Sequence, residues 1–278
     1  MTSTLMIQGT SSGVGKTTLV TALCRIFSDA GYSVAPFKSQ NMSNYSYKEN
    51  GFEISQAQAI QATAARADIS PHMNPILLKP LGKYRSTVVV QGKAYKNMTA
   101  NNYYKKFALT KGLKLALESL QILMNRYDFV IMEGAGSPAE INLQKYDIAN
   151  MLLAQKTCSP VLLVSDIEKG GSFASIVGTM SLLPRDHHRL VKGFIINKFR
   201  GDIKILKPGF LKLKQITSKS VFGVIPLVDL DLPNEDSLDS KIHLFKKENK
   251  RKLEYEIDKL AKTVKANLDV KKIERLLK

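Results

Sequence analysis

The stretch Thr4-Leu-Met-Ile-Gln-Gly-Thr-Ser-Ser-Gly-Val-Gly-Lys-Thr17 decides the fold. It begins with a short apolar run that is typical of a buried strand and continues through a glycine-rich loop to Lys16 and Thr17. The residues after the loop place an apolar stripe at helical spacing, made of Leu19, Val20, Leu23, Ile26 and Phe27. Strand, glycine-rich loop and helix, in this order, are the context in which a loop ending in Gly-Lys-Thr binds phosphate groups.

This loop predicts a site for a nucleoside triphosphate with Mg²⁺. Glycines let backbone N–H groups turn toward phosphate oxygens, and the N-terminus of the helix adds a partial positive charge. We expect Lys16 to reach the β- and γ-phosphates and the Thr17 hydroxyl to coordinate Mg²⁺. The residues expected around the phosphates are Ser12, Gly13, Val14, Gly15, Lys16, Thr17 and Thr18. The first glycine of the loop is Gly9, and Thr10 stands where the common form GxxxxGK[ST] has glycine.

In the rest of the chain, segments with the hydrophobic spacing of a strand alternate with segments that have the spacing of a helix. Short apolar, β-branched runs predict strands at 4–8, 32–37, 86–91, 128–133, 160–165, 191–196 and 220–225. Helical spacing predicts helices at 16–30, 54–67, 101–126, 171–183 and 207–217, and a charged helix at 251–277 after a polar stretch. The alternation predicts an α/β fold of the P-loop NTPase type, with a mostly parallel sheet and helices on both faces. We assign 1–238 to this domain and 239–278 to a basic, mainly helical tail.

Charged residues stand where three predicted strands end. Glu133 precedes the flexible Gly134-Ala-Gly136, and its carboxylate can reach Mg²⁺ on a neighbouring loop. Asp166 ends the next strand and is either a second site residue or a cap or turn residue. Lys38 follows the strand at 34–37 and is either a second cation beside the phosphates or a surface lysine.

Composition indicates an ordinary soluble globular protein. The 278 residues are 44% hydrophobic and 23% charged, and no apolar run approaches the roughly 18 to 20 residues of a membrane span. We expect no signal peptide and a cytoplasmic location. The two cysteines, Cys24 and Cys158, cannot form a disulfide framework.

The net charge is +17, with 41 basic and 24 acidic residues, and residues 239–278 hold 13 Lys or Arg against 7 Asp or Glu. Such an excess favours either an anionic partner or a solvated lysine-rich surface. No zinc-finger or aromatic-plus-basic pattern is present, so neither nucleic acid nor a membrane is expected as a partner.

Several longer motifs resemble the cobyric acid synthase family, in family order over about residues 4–238. They are Phe37-Lys-Ser-Gln-Asn-Met-Ser43, Asn74-Pro-Ile-Leu-Leu-Lys-Pro80, Glu133-Gly-Ala-Gly-Ser-Pro-Ala-Glu-Ile-Asn-Leu143, Asp147-Ile-Ala-Asn150, Asp166-Ile-Glu-Lys-Gly-Gly171 and Asn197-Lys-Phe-Arg-Gly-Asp202. The wider group includes cobyrinic acid a,c-diamide synthase and dethiobiotin synthetase. Its phosphate loop has the spacing seen here, and the resemblance implies a dethiobiotin synthetase-like fold.

The resemblance implies ATP-dependent amidation of the b, d, e and g carboxylates of adenosylcobyrinic acid a,c-diamide, with ATP and Mg²⁺ as cofactors. ATP would phosphorylate each carboxylate, and ammonia would displace phosphate from the acyl phosphate. It implies that Lys16 and Lys38 flank the transferred phosphoryl group and that Asn197 recognises adenine. The implied Mg²⁺ ligands are Thr17, Glu53 and Glu133. The implied contacts to the corrinoid substrate are Ser39, Gln40, Asn41, Ser137, Glu140 and Asn142.

The family normally continues into a class I glutaminase domain with a nucleophilic cysteine, and neither cysteine here has the glycine-rich elbow of such a nucleophile. The segments Glu256–Ala261 and Asn267–Val270 resemble the short helical end of full-length members. A separate glutaminase subunit and a homodimer are therefore left open as protein partners. Two other functions are also left open: another ligase of the same group, and a P-loop partitioning or scaffold ATPase.

Overall fold

The computed structural model describes residues 3–231 and 247–278, and the side chains of the second range from residue 249. The strands are β1 (Ser3–Gly9), β2 (Val34–Phe37), β3 (Gln40–Met42), β4 (Ser46–Glu49), β5 (Phe52–Ser55), β6 (Ile76–Gly82), β7 (Arg85–Val90), β8 (Lys93–Thr99), β9 (Phe129–Glu133), β10 (Val161–Asp166), β11 (Val191–Phe199) and β12 (Ser220–Pro226). The helices are α1 (Lys16–Asp29), α2 (Gln56–Ala64), α3 (Ala100–Asn102), α4 (Leu113–Met124), α5 (Met151–Lys156), α6 (Ser172–Leu182), α7 (Lys207–Thr217), α8 (Lys247–Asn267) and α9 (Val270–Leu277).

A six-stranded parallel sheet forms the centre of the molecule, in the order β12-β11-β10-β1-β9-β2. Strand β1 lies between β10 and β9, and its residues Leu5, Met6 and Ile7 are fully buried. Because side chains of a strand alternate between faces, Leu5 and Ile7 join one hydrophobic cluster and Met6 joins the other. The strand that leads into the phosphate loop is thus paired with a strand on each side and packed against a hydrophobic cluster on each face.

Helices cover both faces of this sheet, as the sequence predicts. Buried residues of α1, α8 and α9 form the cluster that contains Leu5 and Ile7. Buried residues of α4, α5, α6 and α7 form the cluster that contains Met6. The P-loop type of α/β fold is confirmed, and the six predicted strands other than 86–91 belong to the parallel sheet.

The prediction that 86–91 belongs to the same kind of sheet is wrong. Strand β7 lies in a second, four-stranded sheet of order β3-β6-β7-β8, in which only β3 and β6 run parallel. Strands β4 and β5 form a separate antiparallel pair. A run such as Val88-Val-Val90 has the same apolar signature in either type of sheet, so the pattern alone does not assign it.

Two predicted helices differ in detail. The helix at 101–126 has π-helical geometry from Tyr103 to Gly112 before α4 begins. The helix at 251–277 is two helices, α8 and α9, and Asp269 caps the second by accepting from the Lys272 N–H at 3.0 Å. Within the described ranges, no helix is long and apolar enough to cross a membrane. The predicted polar stretch after Pro233 and the domain boundary at 238 lie outside the described residues.

Candidate nucleotide site

The phosphate loop joins β1 to α1, as predicted. Gly13 and Gly15 adopt left-handed backbone conformations, with φ of +72° and +94°. A Cβ atom on Gly15 would lie 2.2 Å from the Asn197 amide nitrogen, so this position has room only for glycine. Lys16 is buried, and its ammonium donates to the carbonyl oxygens of Ser11 at 3.0 Å and Gly136 at 2.9 Å. It therefore connects the phosphate loop with the loop that follows β9.

Glu133, the last residue of β9, is the centre of a buried hydrogen-bond network. One carboxylate oxygen accepts from the Thr17 hydroxyl and from the Lys38 ammonium, each at 2.8 Å. The other oxygen accepts from the Gln61 side-chain amide at 2.6 Å. The side chain of Glu133 is fully buried, and that of Lys38 is 4% exposed. The structure thus brings together Thr17, Glu133 and Lys38, three of the residues predicted from the sequence.

Gln61 was missed by the sequence analysis. It lies in α2, its side chain is fully buried, and it also reaches the Thr17 carbonyl oxygen at 3.4 Å. Gln58 on the same helix is equally buried and hydrogen-bonds Gln61 at 3.3 Å. The sequence signal that could have indicated Gln61 is the recurrence of glutamines in an alanine-rich helix. Glutamines on the buried side of such a helix need hydrogen-bond partners.

A second pair of residues supports the loop after β9. Asn150 donates from its side-chain amide to the Ala135 carbonyl oxygen at 2.6 Å and to the Asp147 carboxylate at 2.8 Å. Burial raises the pKa of Asp147, and hydrogen bonds from Asn150 and Ala149 oppose that rise. A Cβ atom on Gly134 would lie 2.1 Å from the side-chain amide oxygen of Asn150, so this loop packs tightly against Asn150. The support keeps Gly136 within reach of Lys16.

The ends of β10 and β11 contact the phosphate loop from the other side. Asn197 donates to the Val14 carbonyl oxygen at 2.8 Å. Lys198 donates to the Gly13 carbonyl oxygen and to the Asp166 carboxylate, each at 2.8 Å. Asp166 thus contacts the phosphate loop through Lys198, and it also accepts from the Glu168 N–H at 2.9 Å, as a turn residue does, so both interpretations stay open. Lys198 was not predicted, although it stands beside Asn197 in a quoted motif.

The predicted substrate residues fall into two groups. Ser39 and Asn41 are buried and hydrogen-bond within the protein, Ser39 to the Ile148 carbonyl oxygen at 3.0 Å and Asn41 to Ser55 at 2.7 Å. Gln40 accepts from the Tyr103 hydroxyl at 2.7 Å, and Ser137 accepts from the Ala139 N–H at 3.2 Å. Glu140 and Asn142 are exposed in the segment after Ser137. Their roles stay predictions.

Glu53, the third predicted metal ligand, lies on β5 and accepts hydrogen bonds from Lys79 and Ser46. Burial alone would raise the pKa of the Glu53 carboxyl, but these two donors outweigh it and the pKa is lowered. The side chain is therefore held as a carboxylate. Its role as a Mg²⁺ ligand stays a prediction.

The residues at the phosphate loop fit Mg²⁺ by their chemistry. Mg²⁺ takes oxygen ligands and is usually held by one or two carboxylates together with substrate phosphates. The Thr17 hydroxyl and the Glu133 carboxylate supply such oxygens and lie within 2.8 Å of each other. Across 3–231 and 247–278, no group of three or more His, Cys, Asp or Glu is placed to hold a metal. A divalent ion here would therefore draw ligands from the nucleotide as well.

Neither cysteine has the setting of an active nucleophile. Cys24 is fully buried inside α1, and burial, followed by the charge of Glu133, raises the pKa of its thiol far above the usual range. Cys158 is exposed and comes after α5, before β10, rather than between a strand and a helix. A strand-to-helix elbow is the geometry that presents a nucleophile in such folds.

The fold and loop define a P-loop nucleotide-binding α/β domain. Residues 5–238 match the model of the CobQ/CobB/MinD/ParA nucleotide binding domain, and the chain belongs to that family. A cobyric acid synthase of Caldanaerobacter subterraneus subsp. tengcongensis is 55% identical over 240 residues, which cover 86% of this chain and 47% of that protein. A probable cobyric acid synthase of Thermococcus kodakarensis is 54% identical over 242 residues, covering 86% and 49%.

These relatives confirm the resemblance to cobyric acid synthase that the motifs predict, and the chain spans about half the length of each. Among solved structures, the cell division protein MinD of Aquifex aeolicus aligns with a TM-score of 0.45 at 14% identity. That alignment covers 81% of this chain and 82% of MinD.

Proposed function

We propose that this chain is the ATP-dependent amidating unit of a cobyric acid synthase. It would use ATP and Mg²⁺ to convert side-chain carboxylates of a corrinoid, adenosylcobyrinic acid a,c-diamide, into amides through acyl phosphates. The observation that carries the proposal is the network in which Glu133 joins Thr17, Lys38 and Gln61 at the carboxyl ends of β1, β2 and β9. The identity of more than 50% to two cobyric acid synthases supports the choice of reaction.

Each residue of the network has a role that fits phosphoryl transfer. A carboxylate is a poor electrophile, and its activation requires charge neutralisation around the transferred phosphoryl group. Lys16 now donates to two carbonyl oxygens, and we expect it to exchange these for phosphate oxygens when ATP binds. Lys38 would place a second positive charge beside the acceptor carboxylate.

Thr17 and Glu133 would hold Mg²⁺, with Glu53 as a further candidate ligand. The ion, when bound, neutralises the developing charge on the phosphates. Gln61 holds the Glu133 carboxylate from its second oxygen, so the carboxylate keeps its orientation toward Thr17. In the proposal, Gln40 and Ser137 contact the corrinoid together with the exposed Glu140 and Asn142, and Ser39 and Asn41 shape that surface from beneath.

The two other functions remain as outcomes of a test. Another ligase of the same group would use the same phosphate loop and the same Glu133 network on a different acid. A partitioning or scaffold ATPase would bind DNA or a membrane through its basic surface. The loop has Thr10 and Ser11 where such ATPases usually carry an additional lysine, which supports a ligase.

The deciding experiment is incubation of the chain with ATP, Mg²⁺, an ammonium salt and adenosylcobyrinic acid a,c-diamide, followed by mass spectrometry. We expect products whose masses correspond to replacement of hydroxyl by amino groups, and ADP formed in equal amount. Dethiobiotin synthesis or a,c-amidation by the same protein, without reaction of this substrate, would assign another ligase. ATP hydrolysis that depends on DNA, without amidation, would assign a scaffold ATPase.

A further inference from the structure

A cavity of about 270 Å³ lies beside the phosphate loop. One wall is formed by Thr18, the last residue expected around the phosphates, and by Leu19, both at the start of α1. Another wall is formed by Asn197 and Lys198 at the end of β11. Polar groups on one side and apolar groups elsewhere are the usual composition of a small-molecule pocket. The volume lies just below the range for drug-sized ligands, roughly 300–1,000 Å³, which suits a smaller group such as a base with its ribose.

Another wall of this cavity comes from the C-terminal helix α8, through Leu260 and Val264. Both side chains are nearly fully buried and belong to the hydrophobic cluster of α1. They reach the cavity from about 240 positions further along the chain than Thr18. The family match ends at residue 238, so this wall lies outside the part of the chain that the family model describes.

Helix α8 also fixes the segment 226–231, which closes the cavity after β12. The Lys259 ammonium donates to the Asp229 carbonyl oxygen at 2.7 Å. The Asp231 N–H donates to the Glu256 carboxylate at 3.3 Å, and Lys252 forms an ion pair with Asp231. Three residues on successive turns of α8 therefore hold the segment that includes Leu227 and Leu230, which both line the cavity.

A buried arginine on the helix that follows the phosphate loop pairs with two carboxylates of α8, whose side chains are 34% and 60% exposed. Arg25 of α1 is 2% exposed and hydrogen-bonds Glu254, and its Nε lies 3.5 Å from the Asp258 carboxylate. An arginine buried between two helices is stable only when carboxylates compensate its charge. The position of α8 relative to the phosphate loop is thus specified by charge as well as by apolar packing.

From these contacts we infer that α8 is part of the nucleotide site: Leu260 and Val264 contact the base, and Lys259 and Glu256 position the segment that closes over it. The inference rests on the proposed ATP site and assigns a role to the tail. It makes α8 a determinant of affinity for the base, distinct from the groups that hold the phosphates.

The test compares ATP with inorganic triphosphate, which lacks base and ribose, by titration calorimetry in the presence of Mg²⁺. Leu260→Phe places additional atoms in the cavity. Leu253→Phe is its matched control, because Leu253 lies two turns earlier on the same face, is equally buried and does not line the cavity. We expect Leu260→Phe to weaken ATP binding about tenfold or more and to leave triphosphate binding unchanged, and Leu253→Phe to change neither.

A surface variant keeps the test valid if Leu260→Phe does not fold. Lys259→Met removes the donor to Asp229 and should weaken ATP binding by about two- to tenfold, with triphosphate binding unchanged, whereas Lys262→Met on the exposed side should have no effect. Unchanged ATP affinity in a folded Leu260→Phe protein and in Lys259→Met would overturn the inference, as would equal losses for ATP and triphosphate. Failure of the wild-type chain to bind either ligand would contradict the nucleotide site itself.

Discussion

Separation of the buried charges of Lys38 and Glu133 gives the most direct test of the proposed site. Lys38→Met takes the Lys38 cation from beside the buried Glu133 carboxylate, and Glu133→Gln takes the Glu133 carboxylate from beside the buried Lys38 ammonium. The two side chains are 4% and 0% exposed, and the charges lie 2.8 Å apart. Breaking such a buried pair from one side costs about 3–5 kcal/mol.

The double variant should recover part of this loss, because it removes both charges of the pair together. We expect the free energy of unfolding to fall by about 3 kcal/mol or more in each single variant, and the double variant to differ from the sum by about 2 kcal/mol or more. For a domain of this size, each single variant should lower the melting temperature by roughly 6 to 20 °C. Urea and thermal unfolding, followed by circular dichroism without nucleotide or Mg²⁺, measure these differences.

An exposed ion pair provides the control. Arg66 and Asp29 form an ion pair at 2.5 Å with side chains 51% and 44% exposed. Arg66→Met should change the free energy of unfolding by less than about 1 kcal/mol. All three variants at Lys38 and Glu133 should lack amidation activity. The double variant should have a smaller loss of unfolding free energy than the two single losses added together, but it should be equally inactive. The assignment would be refuted if the losses of unfolding free energy in the two single variants simply added in the double variant, or if the double variant amidated its substrate.

Three further predictions concern the phosphate loop, the source of nitrogen and the binding of DNA. Lys16→Ala should reduce amidation about 100-fold or more, since it removes a phosphate donor, while circular dichroism shows the fold retained; turnover at the wild-type rate would exclude its assigned role. The 278-residue chain with Cys24→Ser and Cys158→Ser should amidate with ammonium salts, faster as pH rises toward the pKa of ammonium, and should not use glutamine; glutamine-supported product from this variant would contradict the assignment of both cysteines. Duplex DNA should bind weakly, lose affinity between about 50 and 200 mM salt and leave ATP hydrolysis unchanged, whereas salt-resistant binding that stimulates hydrolysis would favour the scaffold function.

Parts of the site that are contiguous in the chain could be predicted from the sequence. The phosphate loop from Gly9 to Thr17 carries its glycines, its lysine and its hydroxyl in one segment, so neighbouring residues define the site. Glu133 and Lys38 were found because each follows an apolar strand, and the carboxyl ends of parallel strands meet at one edge. The strand order β2-β9-β1, which places these two residues beside Thr17, was not predicted.

Other parts were decided only by the tertiary structure. Gln61 lies 72 positions from Glu133, and its amide in an alanine-rich helix gives no local sign of that partner. Strand β7 has the apolar pattern of a central strand but pairs in a second sheet, because a β-branched run suits either kind of pairing. The charged tail has helical spacing that predicts α8, but the contact of α8 with α1 involves Arg25, which hydrogen-bonds Glu254 across 229 positions. Spacing along the chain determines which face of a helix is apolar, whereas packing determines what that face contacts, and here it places Leu260 and Val264 beside the phosphate loop.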